Sequence, residues 1–235
     1  MATLYGVGVG TGDPELLTLK ALRVIQEAEV VCYLVNHQGD SQARQIARLA
    51  FVSGNPAQQE LRVTMPMALD RQAANAAYDQ AAEAIALHLE QERDVAFLCE
   101  GDPLFFGSFA YLLARLQGQY DCQVIPGIST IHTVSATLVE PLTRLSESLV
   151  VISGRHDDAV IGQALRQHDT VVIMKVAGHR QRLKRLLVEN GRLNDACYLE
   201  HLGREQQQII QNVAALAEDQ SVYFSVLVVR RPLGA

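Results

Sequence analysis

Two Gly-Asp-Pro triplets, each shortly after an apolar stretch, are the segments of this sequence best suited to bind a ligand. Gly12-Asp13-Pro14 ends the segment LYGVGVGTGDP, and Gly101-Asp102-Pro103 lies within CEGDPLFFGS. Glycine allows a ligand to approach the backbone closely, and proline fixes the turn. Both segments offer carboxylates and peptide groups, and neither contains Lys or Arg. The pattern indicates a neutral or cationic ligand that bears hydroxyl groups and an amine.

A third segment of this kind, VIPGIST at 124–130, adds Pro126-Gly127 and the hydroxyl groups of Ser129 and Thr130. A Pro-Gly pair before an apolar helix is common as a plain turn, so this segment alone is a weak signal. In open α/β sheets, ligands bind beyond the carboxyl ends of the strands. The three segments together therefore predict a ligand site at such an edge.

The glycines at the N-terminus do not form the dinucleotide fingerprint, which needs Gly-x-Gly-x-x-Gly at the start of a helix. In the possible registers, the third glycine position holds Thr11, Asp13 or Glu15. Asp13 and Glu15 would also repel a pyrophosphate placed at the helix N-terminus. A nicotinamide oxidoreductase is therefore disfavoured, whereas a plain strand-to-helix turn capped by Asp13 stays an alternative for this stretch.

The composition is that of an ordinary globular protein: 49% of the 235 residues are apolar and 20% are charged. The net charge of -6 argues against a broad nucleic-acid surface. No apolar run is long enough to span a membrane and no secretory signal is recognisable, so we expect a cytoplasmic protein. The histidines and cysteines lack metal-ligand spacing, so no metal site is predicted. We expect buried, reduced thiols at Cys32, Cys99, Cys122 and Cys197.

Apolar strands alternate with amphipathic helices in the first half of the chain, which predicts a mainly parallel sheet covered on both faces. The expected strands are 4–9, 30–35, 95–99 and 122–125, and the expected helices are 15–28, 41–50, 74–91 and 106–116.

The second half is richer in strands, which predicts a mixed sheet in a separate domain. Helices are expected at 128–138 and 179–189, and strands at 148–153, 169–176, 196–202 and 221–229. Turn residues in GQYD and IPG place the boundary between a domain of residues 1–122 and a domain of residues 123–235.

In order and spacing, these motifs resemble those of the tetrapyrrole methylases, the class III S-adenosylmethionine-dependent methyltransferases of cobalamin and sirohaem biosynthesis. The resemblance covers the whole chain, and its motifs are GDPELLTLKA, EGDPLFFGS, VIPGIST and VVIMK. Thr11 departs from the pattern, since proline often stands there. The resemblance implies two α/β domains with the ligand cleft between them, S-adenosylmethionine as cofactor, and a homodimer.

The resemblance also implies a small-molecule tetrapyrrole substrate, namely precorrin-2 or its cobalt-containing relative, methylated at C-20. The first domain would line the substrate trough, and the second would complete the cofactor site. The segments most similar to methyltransferases of this kind are 33–47, 94–112, 171–187, 196–209 and 223–229.

Site residues follow from the resemblance position by position. The cofactor would contact Gly101, Asp102, Leu104, Ser108, Phe109, Ser129, Thr130, Met174 and Leu202. The substrate would meet Gly12, Asp13, Pro14, Arg155, Lys175 and Arg204.

Simpler structural roles stay open for several of these residues. Asp102 could be a turn former, Ser129 and Thr130 helix caps, Met174 a core residue, and the cations solvated surface charges. No catalytic base is assigned, and Glu100 and Asp102 are candidates by location only. Two alternative functions also stay open: methyl transfer to another target, such as a different tetrapyrrole carbon, a ribosomal RNA ribose or a modified histidine, and a non-catalytic ligand-binding module.

Overall fold

The computed structural model describes residues 2–52, 55–66, 71–217 and 222–232. The chain divides into two compact units, which we call unit 1 (Met1–Thr130) and unit 2 (Ile131–Ala235). The boundary follows residue 130 and not residue 122, because the strand at Asp121–Ile125 pairs in parallel with the first strand of unit 1. Two α/β units, one with a parallel sheet and one with a mixed sheet, confirm the predicted fold class.

Unit 1 is built on a five-stranded sheet of order β3-β2-β4-β1-β5, in which all pairs are parallel. Its strands are β1 (Thr3–Gly8), β2 (Val30–Val35), β3 (Gln59–Thr64), β4 (Val95–Cys99) and β5 (Asp121–Ile125). Its helices are α1 (Leu19–Glu27), α2 (Gln42–Ile46), α3 (Arg48–Val52), α4 (Arg71–Glu90) and α5 (Phe109–Leu116).

Both faces of this sheet are covered, as the apolar strands predict. Leu4 and Phe97 belong to a core cluster under α4 and α5, whereas Val7 and Leu98 belong to a second cluster under α1 and α2. Successive residues of a strand point to opposite faces, which is why one short apolar run supplies both clusters.

The helix expected at 15–28 begins later than its sequence indicates. Asp13 caps only a short 3-10 turn, Pro14–Leu16, and Leu17 then returns to an extended conformation. Thr18 caps α1 instead, with its hydroxyl oxygen accepting the N–H of Ala21 at 3.1 Å. The helix expected at 41–50 is likewise two short helices, α2 and α3.

Unit 2 contains a sheet of order β6-β7-β10-β8-β9. The β6–β7 pair is parallel and the other pairs are antiparallel, so the sheet is mixed as predicted. Its strands are β6 (Leu149–Ser153), β7 (Thr170–Met174), β8 (Ala196–Glu200), β9 (Gln208–Ile210) and β10 (Ser225–Arg230). Its helices are α6 (Thr130–Leu138), which starts at the unit boundary, α7 (Asp158–Gln167) and α8 (Arg180–Glu189).

One face of this second sheet packs against α7 and α8, through side chains such as Ile161 and Leu187. The other face packs against α6, through Val134. Because β7 and β8 both run antiparallel to the strand between them, β10, they are parallel to each other. Their carboxyl ends therefore lie at the same edge of the sheet.

Candidate functional site

The carboxyl ends of β1, β4 and β5 meet at a set of glycines that we call the glycine junction: Gly8, Gly10, Gly101 and Gly127. A Cβ atom on Gly8 would lie 2.5 Å from the backbone N of Gly127 and 2.7 Å from the backbone O of Gly101. Gly10 and Gly101 exchange backbone hydrogen bonds, with N···O distances of 3.3 and 2.7 Å. The three strand ends are in backbone contact, which only residues without side chains permit.

Asp102 organises the loop that follows β4. Its Oδ1 accepts the N–H groups of Leu104 at 3.0 Å and Phe105 at 3.1 Å. Its Oδ2 accepts the N–H of Gly127 at 3.3 Å, which connects this loop to the segment after β5. Both carboxylate oxygens are thus engaged within unit 1, and the turn-forming role is the one that the geometry displays.

The two Gly-Asp-Pro elements are constructed alike. In the first, Oδ1 of Asp13 accepts the N–H of Glu15 at 2.8 Å, and in the second, Oδ1 of Asp102 accepts that of Leu104, also two residues further on. Asp13, Gly12 and Pro14 are half-buried and therefore accessible at the end of β1. The first element makes no bond that corresponds to the one between Asp102 and Gly127 among the hydrogen bonds of the described residues.

The other expected cofactor residues of unit 1 differ in accessibility. Leu104 is half exposed, and Ser129 is buried. Ser108 stands at the N-cap position of α5 without a side-chain cap bond, and its Oγ lies 3.8 Å from Sγ of Cys99. Thr130 is half-buried and begins α6.

Phe109 does not reach the surface. It is completely buried, with its ring against Gly6 and its ring centroid 6.1 Å from that of Phe97. The side chain of Phe109 therefore serves the core of unit 1, and the expected cofactor contact at this residue stays a prediction.

The shared edge of β7 and β8 carries the expected residues of unit 2. Met174 ends β7 and Lys175 follows it with a φ of 58°, while His201 follows β8 with a φ of 50°. Both φ values lie in the left-handed region, which is uncommon for residues other than glycine. The turn after β6 supports the first position, because Gly154 donates its N–H to the O of Met174 at 2.7 Å.

Met174 and Leu202 both pack against the sheet face that α6 covers. Met174 is half-buried and Leu202 is buried, so core packing accounts for part of each side chain. The two residues nevertheless lie on the two turns of the same edge, which is the arrangement that a shared ligand contact requires.

The three cationic residues of unit 2 that are expected to bind substrate differ in their contacts. Nζ of Lys175 lies 5.8 Å from the ring centroid of Tyr223, and the guanidinium carbon of Arg204 lies 3.8 Å from that of Phe224. Cation–π contacts of this kind help to orient a cation. Arg155 is exposed, and its backbone N–H donates to Oγ of Ser153 at 3.2 Å.

Arginines at the start of α8 hold this edge, and Arg182 has no role among the sequence-based predictions. Arg182 donates to the O of Gly154 at 2.9 Å and to Oδ1 of Asp158 at 2.5 Å. Hydrogen bonds from Arg182 and Arg185 lower the pKa of Asp158 below its usual value. Arg180 is buried against Glu200. Its spacing of three and seven residues from the core leucines Leu183 and Leu187 was the signal that could have revealed it.

The four cysteines are free thiols, but only Cys32 and Cys99 are buried, whereas Cys122 and Cys197 are half-buried. Burial raises the pKa of the Cys99 thiol to about 12.

Across the described ranges, no cluster of three or more His, Cys, Asp or Glu side chains could hold a metal ion. No helix in the described part of the chain is long and apolar enough to cross a membrane.

Comparison with known proteins shows to which family the chain is related. The chain is 35% identical over 236 residues to a precorrin-2 C(20)-methyltransferase of Sinorhizobium sp, covering 96% of this chain and 94% of that protein. It is 30% identical to a cobalt-precorrin-2 C(20)-methyltransferase of Salmonella typhimurium, covering 97% and 96%.

Solved structures share the fold. A uroporphyrin-III C-methyl transferase of Thermus thermophilus, complexed with S-adenyl homocysteine, superposes with a TM-score of 0.67 at 22% identity, over 97% of both chains. The cobalamin biosynthetic enzyme cobalt precorrin-4 methyltransferase gives a TM-score of 0.74 at 16% identity, over 97% of this chain and 94% of that one. The model of the family "Tetrapyrrole (Corrin/Porphyrin) Methylases" matches residues 3–217. The chain therefore belongs to the tetrapyrrole methylases, a family of S-adenosylmethionine-dependent methyltransferases.

Proposed function

We propose that this protein transfers a methyl group from S-adenosylmethionine to C-20 of precorrin-2, or of its cobalt-containing relative, in cobalamin biosynthesis. The observation that carries the proposal is the similarity to precorrin-2 and cobalt-precorrin-2 C(20)-methyltransferases over nearly the full length of each chain. We further propose a homodimer in the cytoplasm.

The residues at the edge of unit 1 fit this cofactor chemically. The loops after β1 and β4 contain Asp13, Glu15, Glu100 and Asp102, and they contain neither Lys nor Arg. Such loops suit the positive sulfonium and ammonium groups of S-adenosylmethionine better than a phosphate. Gly101, with a φ of 65°, presents open space in which a Cβ would approach only the Cα of Ser129, at 3.9 Å. The Cβ side of Gly101 thus has no close neighbour, although the residue itself is buried.

We propose that the cofactor is bound in unit 1 by Gly101, Asp102, Leu104, Ser108, Ser129 and Thr130, and in unit 2 by Met174 and Leu202. When bound, S-adenosylmethionine supplies an electrophilic methyl group. The protein residues orient the reacting atoms for an in-line displacement, for which ideal positioning can supply about 7–11 kcal/mol of the barrier. The reduced tetrapyrrole provides its own carbon nucleophile, so the attack needs no strong general base.

The substrate carries several carboxylates, which cationic side chains can bind. We propose that Lys175 and Arg204, which rest on the rings of Tyr223 and Phe224, bind these carboxylates together with the exposed Arg155. Gly12, Asp13 and Pro14 would border the substrate from unit 1.

The substrate is tested by incubating the purified protein and S-adenosylmethionine with precorrin-2 and, in parallel, with its cobalt complex. A mass gain of one methyl group, located at C-20 by NMR, is the expected result. Methylation at another carbon would favour the second candidate, a different tetrapyrrole methylase. That candidate has support in the 29% identity to a uroporphyrinogen-III C-methyltransferase of Synechococcus elongatus, over 89% of this chain. Cofactor binding without turnover would favour a binding module.

The cofactor site is tested with a matched pair of variants, Asp102→Ala and Asp13→Ala. Each removes an aspartate that caps its own Gly-Asp-Pro turn, but only Asp102 also binds Gly127. Calorimetry with S-adenosylhomocysteine should show weaker binding for Asp102→Ala and unchanged binding for Asp13→Ala. Gly101→Val should also weaken binding, because a branched residue is strained at a positive φ and would fill the open space. Undiminished affinity in Asp102→Ala and Gly101→Val would refute the placement of the site.

A further inference from the structure

A buried ion pair joins two segments of unit 2 that are distant in sequence. Arg180 is the first residue of α8, and Glu200 is the last residue of β8. Nη2 of Arg180 lies 2.8 Å from Oε1 of Glu200, and only 8% and 10% of the two side chains are exposed. Glu200 is not among the residues expected to touch cofactor or substrate.

Further bonds fix the guanidinium group of Arg180 in one orientation. Its Nη2 donates to the hydroxyl oxygen of Tyr198 at 2.7 Å, and its Nη1 donates to the backbone O of Ala217 at 3.0 Å. Its carbon lies 4.6 Å from the ring centroid of Tyr198. Within the described residues, its buried Nε finds no acceptor. A buried ion pair with incomplete hydrogen bonding is a poor source of stability compared with apolar packing, so stability alone does not account for it.

The location of the pair indicates its role. Arg180 ends the connection 175–179 that follows β7, and Glu200 immediately precedes the turn 201–204 that follows β8. These two segments leave the same sheet edge on either side of β10. Each begins with a residue in the left-handed region, Lys175 and His201. Backbone conformations of this kind persist only where the surrounding structure enforces them.

We propose that Arg180 and Glu200 are positioning residues that set the spacing between the Met174–Lys175 segment and the Leu202 turn. The inference rests on the proposed function, in which both segments contact S-adenosylmethionine. The pair does not touch the cofactor itself. It acts through the backbone, because Glu200 fixes the start of the turn at His201 and Arg180 fixes the end of the connection that begins at Lys175.

The test compares Arg180→Met, Glu200→Gln and the double variant R180M/E200Q. Arg180→Met leaves Glu200 buried without its partner and should lower the melting temperature strongly. The double variant removes both charges and should recover much of that loss. Affinity for S-adenosylhomocysteine, measured by calorimetry, should nevertheless be about tenfold weaker in the double variant. The KM for S-adenosylmethionine should rise by a similar factor, with kcat at saturation changed less. This separation of affinity from stability is not expected of a purely structural pair.

The chain offers a matched control in the pair Arg192–Asp195. Its Nε···Oδ2 distance is 2.6 Å, it is similarly buried, and Arg192 also donates to backbone carbonyls, including the O of His168 at 3.1 Å. It lies at the amino-terminal ends of β7 and β8, at the opposite edge of the sheet. Arg192→Met should therefore lower the melting temperature without changing the affinity for S-adenosylhomocysteine.

The outcomes separate this inference from the proposed function. Wild-type protein that fails to bind S-adenosylhomocysteine would refute the proposed function and the inference with it. Wild-type binding together with wild-type affinity in a folded R180M/E200Q variant would overturn the inference alone, as would an equal loss of affinity in Arg192→Met. If R180M/E200Q does not fold, the single variant Glu200→Gln provides the same comparison.

Discussion

The close contacts at the glycine junction predict that Gly8→Ala destabilises the protein. Gly8 lies in β1, where the extended backbone itself accepts alanine, so the effect of the substitution is steric. The new methyl group would stand 2.5 Å from N and 2.6 Å from Cα of Gly127, and 2.7 Å from O of Gly101. All three are backbone atoms, which cannot rotate away as a side chain would. This clash can be relieved only if the ends of β4 and β5 both move away from the end of β1.

The expected cost is at the upper end of that for overpacking, about 3 kcal/mol. At about 2–4 °C per kcal/mol, the melting temperature should fall by about 6–12 °C. Because the displaced atoms belong to the loops of Gly101 and Gly127, affinity for S-adenosylhomocysteine should fall as well. Urea unfolding and calorimetry on the same preparation measure the two effects.

Gly10→Ala is the matched control. Its φ is 81°, but its Cβ would come no closer than 3.7 Å to a neighbour, the Cβ of Leu16. Only backbone strain is expected, at about 1–2 kcal/mol. The close approach of the three strand ends is refuted if the free energy of unfolding of Gly8→Ala lies within about 0.5 kcal/mol of the wild-type value. It is also refuted if Gly8→Ala loses less stability than Gly10→Ala.

Three further predictions concern single side chains. Asp102→Asn keeps one oxygen for the N–H of Leu104, so urea unfolding should show a loss of about 1 kcal/mol, against about 2–3 kcal/mol for Asp102→Ala; equal losses would contradict this. Gly162→Ala, inside α7, should raise stability by about 0.5–1 kcal/mol, since the atom nearest to its Cβ is the movable Nη1 of Arg166 at 3.1 Å and the side-chain amide of Asn190 lies at ordinary contact distances of 3.6 and 3.7 Å; a lower melting temperature would count against it. Burial, Arg182 and Arg155 lower the pKa of His179 below 6.5, so the unfolded chain binds a proton first as the pH falls through that value. Stability should therefore decrease between pH 7.5 and 5.5, by less in His179→Gln, and an identical slope would refute the assignment.

The elements that the sequence predicted to the residue are those buried on both faces. β2 (Val30–Val35) and β4 (Val95–Cys99) are continuous apolar runs, and both limits agree with the expectation. β3 (Gln59–Thr64) was missed because it lies at the sheet edge and is mostly exposed, so QELRVT has no apolar run. β9 has only three residues, too few for a pattern to show.

The sequence could predict only those parts of the site that depend on contacts between residues close together in the chain. The Gly-Asp-Pro turns carry their own capping bonds within two residues, so their positions follow from sequence. The bond from Gly127 to Asp102, the burial of Phe109 and the Arg180–Glu200 pair join residues remote in the chain. Such contacts depend on how strands and helices pack, which no single segment determines.

The two buried thiols can report on the opening of unit 1. Cys32 and Cys99 lie on neighbouring strands in the core cluster under α4 and α5, and burial raises both thiol pKa values, which suppresses their reactivity while that cluster is closed. Alkylation of these two positions requires molecules in which α4 and α5 have moved away from this face of the sheet, because both thiols lie in the core cluster under these helices. The kinetics of their labelling, followed by peptide mass spectrometry in native buffer, thus measure the opening of the scaffold behind the Gly-Asp-Pro loops without any introduced probe.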